Sequence, residues 1–386
     1  MERDVALLHE AREAGARITA RLSAVGFNDI PPDGPAVMAA IALNRNASND
    51  LMQKIGICQE TASQVIGTLL QRGYLQHIDD PDQQGQPPSV SRRGLAALCA
   101  VMDGIMAERW ANFPFRQGDI VVSTLPKSGT TWIQMICALL IFQTPDLPAP
   151  LPKLSVWLDA EGETRDNLYT SLAVQRHRRF IKSHLSLTEI HNDPRAIYIA
   201  VVRNPLDSVV SLCHQEQRIN NNGTGKDGAR SGSESAPRWS PRDWLLRWIY
   251  VDPMPPIGPG SLSRMMQHLS DAWTRRGEPN VELVHYEDLC ADLEGQMRRI
   301  ASRLGITVPE TTWPSLVQAA TFGQMRAAAG QIQPLTGSDD PAAFFRSGTS
   351  GAARELLTSA ELAYYYERAA RYCPPELLAW LHRADG

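Results

Sequence analysis

Residues 125–132 place a lysine, a glycine and three hydroxyl side chains in a short loop between two apolar segments. A β-branched run precedes the loop, and an apolar pattern with helical spacing follows it. Lys127 supplies a positive charge, and Gly129 lets the backbone come close to a ligand. The hydroxyl groups belong to Ser128, Thr130 and Thr131. Because unpaired N–H groups and the helix dipole at a helix N-terminus favour negative charge, this loop predicts an anion site.

The order of the residues in this loop narrows the choice of ligand. In the phosphate loop of nucleotide triphosphatases the lysine follows the last glycine, and the next hydroxyl holds magnesium. Here Lys127 precedes Gly129, and the sequence shows no carboxylate cluster of the kind that magnesium uses. A nucleotide kinase is therefore the weaker interpretation, and we expect no metal.

A second anion motif begins at Arg203. Residues 196–202 predict a fully buried strand because they form an almost continuous apolar run. Pro205 then suits the first turn of a helix. At the end of the strand Arg203 can fork onto a phosphate, and Ser211, two turns along the helix, can add a hydroxyl to the same group.

A third segment, residues 179–185, lies between the two anion motifs and predicts a short strand that ends with Lys182 and His184. Histidine is suited to act as a base because its unperturbed pKa of about 6.5 leaves it largely neutral near pH 7. Taken alone, any of the nine histidines is more often a surface or packed residue. The position of His184 after a strand and between two phosphate motifs favours a catalytic role.

Together these segments resemble the cytosolic-type sulfotransferases, which use 3′-phosphoadenosine 5′-phosphosulfate (PAPS) as sulfuryl donor. Residues 125–132 resemble the family's 5′-phosphosulfate loop, and residues 203–211 resemble its 3′-phosphate motif, with the same eight-residue step from arginine to serine. The resemblance implies an α/β fold with a P-loop-like parallel sheet flanked by helices. It also implies that His184 takes the proton of an acceptor hydroxyl, with Lys127 and Lys182 as supporting catalytic charges.

Further matches follow towards the C-terminus, so that the resemblance covers roughly residues 110–380. Residues 284–289 and 320–325 resemble the segments that lie by the adenine, and residues 344–348 resemble the segment that closes on the 3′-phosphate. The donor-site residues implied by the resemblance are Lys127, Ser128, Gly129, Thr130, Thr131, Trp132, Arg203, Ser211, Tyr286, Thr321, Phe322, Arg346, Ser347 and Gly348.

The chain departs from the family pattern at three positions. Leu125 stands where an aromatic residue is usual, Ser186 replaces a proline, and Ser347 replaces a lysine. The last change removes one positive charge from a site that would receive a polyanion. We also find no match to the family's short C-terminal dimerisation motif, so the subunit arrangement of relatives is not transferred.

Length and composition indicate how many domains the protein has and which partners are disfavoured. A chain of 386 residues exceeds the usual size of one domain, so we expect two, at residues 1–107 and 108–386. The formal net charge of −4 disfavours wholesale binding of nucleic acid. No secretory leader pattern opens the chain, no apolar run reaches the ~18 residues of a membrane span, and six cysteines lie scattered. These features predict a cytoplasmic protein with reduced thiols and no membrane partner.

The N-terminal segment has a helical pattern without any sulfotransferase motif. Residues 48–75 predict two helices around a turn at Gly56, followed by a strand, and they resemble the winged helix-turn-helix of MarR-type regulators. Residues 79–91 would form the wing, and residues 92–98 would begin the next helix. The sequence therefore predicts a mostly α winged-helix domain.

DNA binding through residues 48–95 is the functional interpretation of this resemblance, with residues 61–64 facing the base edges. Residues 1–110 contain nine arginines and one lysine against thirteen acidic residues, a net charge of −3. Because affinity for duplex DNA depends on neutralising phosphates, this balance opposes DNA binding. A protein-interaction, dimerising or substrate-gating role is favoured, and a homodimer through this domain is possible.

Several segments bear on the acceptor. Residues 108–116 predict a linker, and the polar, glycine-rich residues 220–241 predict either a tolerated surface loop or a lid. One or two of four tryptophans are expected to line an acceptor pocket, the others to be core: Trp157, Trp239, Trp244 and Trp248. The predicted acceptor is a hydroxyl of a small molecule whose class the sequence leaves open.

Two rival classes of function remain beside the enzyme and the kinase. One is a DNA-binding regulator that uses a dead sulfotransferase-like domain as a ligand sensor. The other is a purely structural partner protein. The intact set of Lys127, His184, Arg203 and Ser211 argues against both.

Overall fold

The structure is a computed structural model of the 386-residue chain. It describes residues 22–23, 26–43, 52–54, 56–77, 88–160, 163–222, 239–251, 261–332, 345 and 350–383. Contacts divide the chain into two compact units, the first comprising Met1–Phe113, Leu158–Ser171 and Pro255–Ile257, and the second the rest. None of the described helices is both long and apolar enough to cross a membrane.

Among the residues described up to Phe113, the first unit has three helices with defined bounds and a two-stranded antiparallel sheet. Its elements up to Phe113 are α1 (Gly34–Leu43), α2 (Gln59–Gln71), β1 (Leu75–Gln76), β2 (Ser89–Val90) and α3 (Arg92–Ala111). Gly56, with a φ of 77°, forms the turn before α2, where Ile57 N donates to Met52 O. Leu75 pairs with Val90, and residues 78–87, most of the proposed wing, lie outside the described residues.

The expectation of a linker at residues 108–116 was wrong for its first part. Helix α3 continues to Ala111, and both Arg109 and Trp110 are fully buried. The Arg109 guanidinium donates to three carbonyl oxygens, those of Leu158, Ala160 and Glu163. A charged side chain that is satisfied by backbone acceptors can lie in a core, which the sequence pattern alone does not indicate.

The second unit has a four-stranded, all-parallel sheet in the order β4-β3-β5-β6. Its strands are β3 (Ile120–Thr124), β4 (Phe180–Ser183), β5 (Ile197–Val202) and β6 (Val281–His285). All residues of β3 are buried, as expected for a parallel strand covered on both faces. The predicted buried strand at residues 196–202 and the α/β class are confirmed by this sheet.

Helices flank the sheet on both faces. The helices described after β3 are α4 (Thr130–Phe142), α5 (Leu151–Leu154), α6 (Arg165–Ala173, which belongs to the first unit up to Ser171), α7 (Pro205–Asn222), α8 (Pro241–Tyr250), α9 (Leu262–Thr274), α10 (Tyr286–Ala291), α11 (Leu293–Leu304), α12 (Trp313–Ala319), α13 (Phe322–Ala327), α14 (Ala329–Ile332), α15 (Ser359–Ala369) and α16 (Pro375–Leu381). Two short 3₁₀ helices cover Arg275–Gly277 and Arg354–Leu356.

The two faces of the sheet build separate cores. Ile199 and Val201 of β5 join a core with α4, α11 and α12, whereas Val202 joins another with α7, α8, α9 and α15. Successive side chains of a strand point to opposite faces, so one strand supplies both cores.

The connectivity also marks where a ligand can bind. The chain runs from β3 to its neighbour β4 and then returns to β5 on the other side of β3. In open parallel sheets such a reversal leaves a crevice at the carboxyl ends of the strands. We call this end the carboxyl edge and the end where the strands start the amino edge. The three predicted motifs lie at the carboxyl edge, where Lys127 follows β3, His184 follows β4 and Arg203 follows β5.

Candidate active site

The loop after β3 turns sharply into α4. Lys127 and Gly129 both have positive φ angles, of 67° and 104°, and Gly129 is the residue that precedes the helix. A Cβ at Gly129 would lie 3.1 Å from Cδ2 of Tyr286, a tight contact, and the positive φ itself favours glycine. A non-glycine residue with positive φ stores strain, which is typical of residues held in place for function.

Contacts between side-chain hydroxyls connect this loop to its neighbouring elements. The hydroxyl oxygens of Thr124 and Thr130 are 2.5 Å apart, and the Ser128 hydroxyl lies 3.3 Å from that of Ser208 on α7. Ser128 and Thr130 are buried. The predicted anion loop is therefore attached both to β3 and to the helix that follows β5.

Arg203, the first residue of the second anion motif, contacts the loop of the first anion motif. It lies at the end of β5, is 8% exposed, and donates from Nη1 to the carbonyl oxygen of Lys127 at 3.2 Å. Its guanidinium carbon is 4.3 Å from the centroid of the Tyr286 ring. Ser211 lies further along α7 and is half-buried. Segments far apart in the chain thus meet at the carboxyl edge, as the sequence predicts.

Aromatic residues from three segments gather beside this loop. Trp132 packs edge-on against Tyr286, with ring centroids 5.4 Å apart, and donates from Nε1 to Ala320 O at 2.8 Å. Thr321 begins α13 by accepting from Gln324 N, and the ring of Phe322 contacts that of Phe345. Burial raises the pKa of the Tyr286 hydroxyl to about 12. The residues expected at the adenine therefore form a neutral aromatic group.

His184 has a defined hydrogen-bonding state. Its Nδ1 lies 2.6 Å from the carbonyl oxygen of Thr124, the last residue of β3. A carbonyl oxygen only accepts, so Nδ1 carries the hydrogen and Nε2 of the neutral ring keeps its lone pair. A histidine in this tautomer can accept a proton at Nε2.

The surroundings of His184 keep its imidazole neutral. Burial of the ring lowers its pKa well below the usual range, and the positive charge of Lys182 lowers it further. The hydrogen bond to Thr124 opposes this shift, whereas His268 and Lys127 add to it. A lowered pKa in the folded state means that the unprotonated form predominates at pH 7, which is the form that a base needs.

Trp157 contacts both catalytic candidates that follow β4. Its ring lies edge-on to the His184 imidazole, with centroids 5.0 Å apart, and the Lys182 ammonium nitrogen lies 3.7 Å from the ring centroid. The backbone fixes this arrangement, because Lys182 N donates to Val156 O at 2.9 Å and Trp157 forms a parallel bridge with Lys182. Sequence reasoning did not separate Trp157 from the other three candidate tryptophans.

The other three tryptophans have different surroundings. Trp248 is buried and stacks near Tyr365, and Trp244 packs against the same core. Trp239 lies beside the guanidinium of Arg247, 5.3 Å from ring centroid to carbon. These contacts support a core role for Trp244 and Trp248.

Asp207 belongs to this region but was not identified from the sequence. Asp207, buried in the first turn of α7, accepts hydrogen bonds from Gly351 N at 2.8 Å and Ala353 N at 3.2 Å. It ties the start of α7 to the segment after the predicted 3′-phosphate residues. Its position, four residues after Arg203 in the second anion motif, is the sequence feature that could have identified it. Arg346, Ser347 and Gly348 themselves lie outside the described residues, as do residues 223–238 of the proposed lid.

Comparison with known proteins covers residues 117–372, which include most of the second unit. A family model described as "Sulfotransferase domain" matches residues 117–372. A glycolipid sulfotransferase of Mycobacterium bovis is 37% identical over 310 residues, which cover 73% of this chain and 94% of the relative. Human sulfotransferase 2B1 is 29% identical over 265 residues, or 66% of each chain. A mouse sulfotransferase, SULT7A1, crystallised with PAP, shares the fold at 19% identity and a TM-score of 0.52, over 70% of this chain and 90% of that one.

Proposed function

The chain belongs to the sulfotransferase family, and from that premise we propose that it moves a sulfuryl group from PAPS to a hydroxyl of a glycolipid. The observation that carries this proposal is the meeting of Lys127, His184 and Arg203 at one edge of the sheet. The glycolipid acceptor rests on the names of the relatives that are 37% identical to this chain. The family match and the intact site favour an enzyme over a DNA-binding regulator with a dead domain.

The donor would bind across the carboxyl edge. The loop at Ser128–Thr131 and the start of α4 would receive the 5′-phosphosulfate, since their backbone N–H groups and the Lys127 charge favour an anion. Arg203 and Ser211 would receive the 3′-phosphate, where a guanidinium can make two charge-assisted hydrogen bonds. The adenine would lie by Trp132, Tyr286 and Phe322, whose rings offer stacking worth about 1 kcal/mol or more each.

The reaction we propose is a direct in-line displacement at sulfur. The acceptor oxygen forms a bond to sulfur while the bond from sulfur to the bridging phosphate oxygen breaks, and the acceptor proton goes to Nε2 of His184. Lys127 offsets the charge that builds on the departing phosphate, and Lys182 with the amides of Thr130 and Thr131 offsets charge on the sulfuryl oxygens. The protein mainly positions the reactants and balances charge, as in phosphoryl transfer.

The low pKa of His184 has a consequence for the order of events. Without ligand, the charges of Lys182 and Lys127 disfavour protonation of the His184 imidazole. A bound polyanionic donor would offset those two charges, so the proton affinity of Nε2 would rise when the donor is in place. Binding of the donor would thus prepare the base for the acceptor.

For the first unit we propose a protein-interaction or dimerising role on a winged-helix-like module. The order of its described elements, two helices, a two-stranded sheet and a long helix, supports this interpretation. The exposed side of α2 carries Ser63 and Gln64 and no lysine or arginine, which disfavours DNA. Light scattering of the full chain tests for a dimer, and a salt-dependent mobility shift on genomic DNA fragments would favour DNA binding instead. A cytoplasmic location stays a prediction from the scattered cysteines.

The acceptor can be identified directly. The protein is incubated with ³⁵S-labelled PAPS and a lipid extract, or with a panel of phenols and simple alcohols. We expect label in a glycolipid fraction and much less in the phenols, and about 100-fold less label when His184→Ala replaces the wild type. Labelling of phenols alone would retain the reaction but reject the acceptor class.

A further inference from the structure

A second basic site lies at the opposite edge of the same sheet. A cavity of about 500 Å³ is lined by residues that precede β3 and β4: Arg116, Gln117, Gly118, Asp119, Arg176, His177, Arg178 and Arg179. The five residues of β3 separate this amino edge from the carboxyl edge by about 13 Å. The cavity is therefore distinct from the proposed active site.

The lining of this amino-edge cavity carries more positive than negative charge. It contains four arginines and one carboxylate, that of Asp119. Arg179 is buried and paired with Asp119 through two hydrogen bonds, so these two charges cancel. The remaining arginines give the cavity a net positive charge in a chain whose formal net charge is −4.

The described hydrogen bonds of the Arg178 guanidinium go to neutral backbone carbonyl oxygens. Its Nε donates to Gly118 O and its Nη1 to Leu304 O, both at 2.5 Å. Burial lowers the pKa of Arg178, since carbonyl dipoles do not replace an opposite charge. A guanidinium has five N–H groups, so donors remain for a ligand.

Arg116 is ordered in the same way although it is exposed. Its guanidinium donates to Gln175 O at 2.9 Å and to Ala173 O at 2.7 Å. Two fixed hydrogen bonds reduce the side-chain entropy that would be lost when an anion binds. Arg176 adds a third, exposed guanidinium to the same cavity.

We propose that the amino-edge cavity binds the phosphomonoester group of a small molecule, at a site separate from the sulfuryl-transfer site. A phosphomonoester is dianionic near pH 7, and planar guanidinium groups bind its oxygens in pairs. The cavity volume falls in the range of ligand pockets, which suits a sugar phosphate rather than an isolated ion. The same group occurs on soluble metabolites and on phosphatidic acid.

The site is tested by calorimetry on the full chain with glucose 6-phosphate as the probe. The amino-edge variant is Arg116→Gln/Arg176→Gln, and Arg176→Glu alone is a second variant that leaves the Arg116 hydrogen bonds intact. Arg371→Gln removes an exposed arginine on the C-terminal side of α15 and serves as the matched control. Arg203→Ala reports binding at the carboxyl edge. Sedimentation with phosphatidic acid vesicles, against phosphatidylcholine vesicles, tests the lipid source.

We expect at least tenfold weaker binding of glucose 6-phosphate in both amino-edge variants, with Arg203→Ala and Arg371→Gln like the wild type. Binding to phosphatidic acid vesicles that is lost in the amino-edge variants would support the same site with a lipid headgroup as its ligand. Binding that is lost only in Arg203→Ala, or that no amino-edge change weakens, would overturn the proposal. So would an absence of binding to both probes.

Discussion

The two edges of the parallel sheet hold positive charge in different ways. At the carboxyl edge the cations of Lys182 and Arg203 lie against the rings of Trp157 and Tyr286. An aromatic face stabilises a cation without cancelling its charge, so the charge remains available to a substrate. At the amino edge the charge of Arg179 is cancelled by Asp119, and the guanidinium groups of Arg116 and Arg178 donate to backbone carbonyl oxygens. Those hydrogen bonds occupy some of the amino-edge donors, whereas an aromatic face occupies none.

Each edge also holds a histidine. His177 at the amino edge and His184 at the carboxyl edge each place Nδ1 within hydrogen-bonding distance of a carbonyl oxygen, at 2.9 Å and 2.6 Å. His177 packs between the rings of Phe142 and Phe180. His184 instead lies beside Trp157 and the charge of Lys182. Arginines also line the cavity beside His177, so neither hydrogen bonding nor a nearby cation distinguishes the two histidines. The position between the two anion motifs is what makes His184 the candidate base.

The largest expected effect comes from His184→Ala. Turnover should fall by about 100-fold or more with donor affinity retained, because removal of a general base typically costs this much. The matched control is His177→Ala, which should keep the turnover of the folded protein even if the melting temperature falls. Steady-state assays with labelled donor measure both variants. Equal turnover in His184→Ala and wild type would remove the histidine from the mechanism.

The next largest effect is expected from Arg203→Ala. Loss of a charge-assisted hydrogen bond of about 1.5–3 kcal/mol corresponds to roughly 10- to 100-fold weaker donor binding. The Michaelis constant for PAPS should rise by this factor, with a smaller change in kcat. Arg371→Ala, at an exposed position just after α15, should change neither constant. A variant with the wild-type Michaelis constant would contradict the role of Arg203 in binding the 3′-phosphate.

A third prediction concerns the backbone of the carboxyl edge. Gly129→Ala should destabilise the protein by about 1–3 kcal/mol and weaken donor binding, because φ is positive and the new Cβ meets Tyr286. Gly67→Ala, at a helical position of α2 with nothing within 4 Å, is the control and should be neutral or slightly stabilising. Thermal unfolding compares the two variants. A stable Gly129→Ala protein with normal donor affinity would show that the loop adapts.

The smallest effect is expected from Trp157→Ala and is best seen in the pH profile. Removal of the indole lets water reach His184 and Lys182, so the lowered pKa of His184 should rise towards its usual value. The neutral base exists above its pKa, and the acid limb of kcat/KM should therefore move to higher pH. If the pKa returns to its usual value of about 6.5, activity at pH 6 should fall to roughly a quarter of that at pH 8.

Trp157→Phe is the control for this change, because it keeps an aromatic face beside Lys182 and should retain most of the profile. An unshifted acid limb in Trp157→Ala would show that the indole does not set the pKa of His184. The test also sharpens the comparison of the two edges, because it varies the aromatic cover without removing a charge.

The sequence predicted the parts of this site that depend on local chemistry. The strand, loop and helix around Lys127 and the strand before Arg203 follow from short apolar runs and from glycine and proline, and the structure has them. The contacts between these segments could not be predicted in the same way. The bond from Arg203 to Lys127 O and the position of Lys182 over Trp157 depend on how distant segments pack.

Burial of charged groups was the least predictable feature. Residues 108–116 were expected to be a linker from their mixed composition, yet Arg109 is 1% exposed because three backbone carbonyls accept its hydrogen bonds. Asp207 was overlooked for the same reason, since its partners at Gly351 and Ala353 lie far along the chain. Hydrogen-bond partners of buried charges are a property of the tertiary structure, and the sequence pattern does not contain them.

The central claim is that the carboxyl edge, and not the basic cavity at the amino edge, binds the donor nucleotide. Calorimetric titration with adenosine 3′,5′-bisphosphate tests it most directly in the wild type and in Arg116→Gln/Arg176→Gln. We predict one tight nucleotide site per chain, with the same affinity in both proteins. An absence of heat in the wild type, or binding that disappears in the amino-edge variant, would contradict the account.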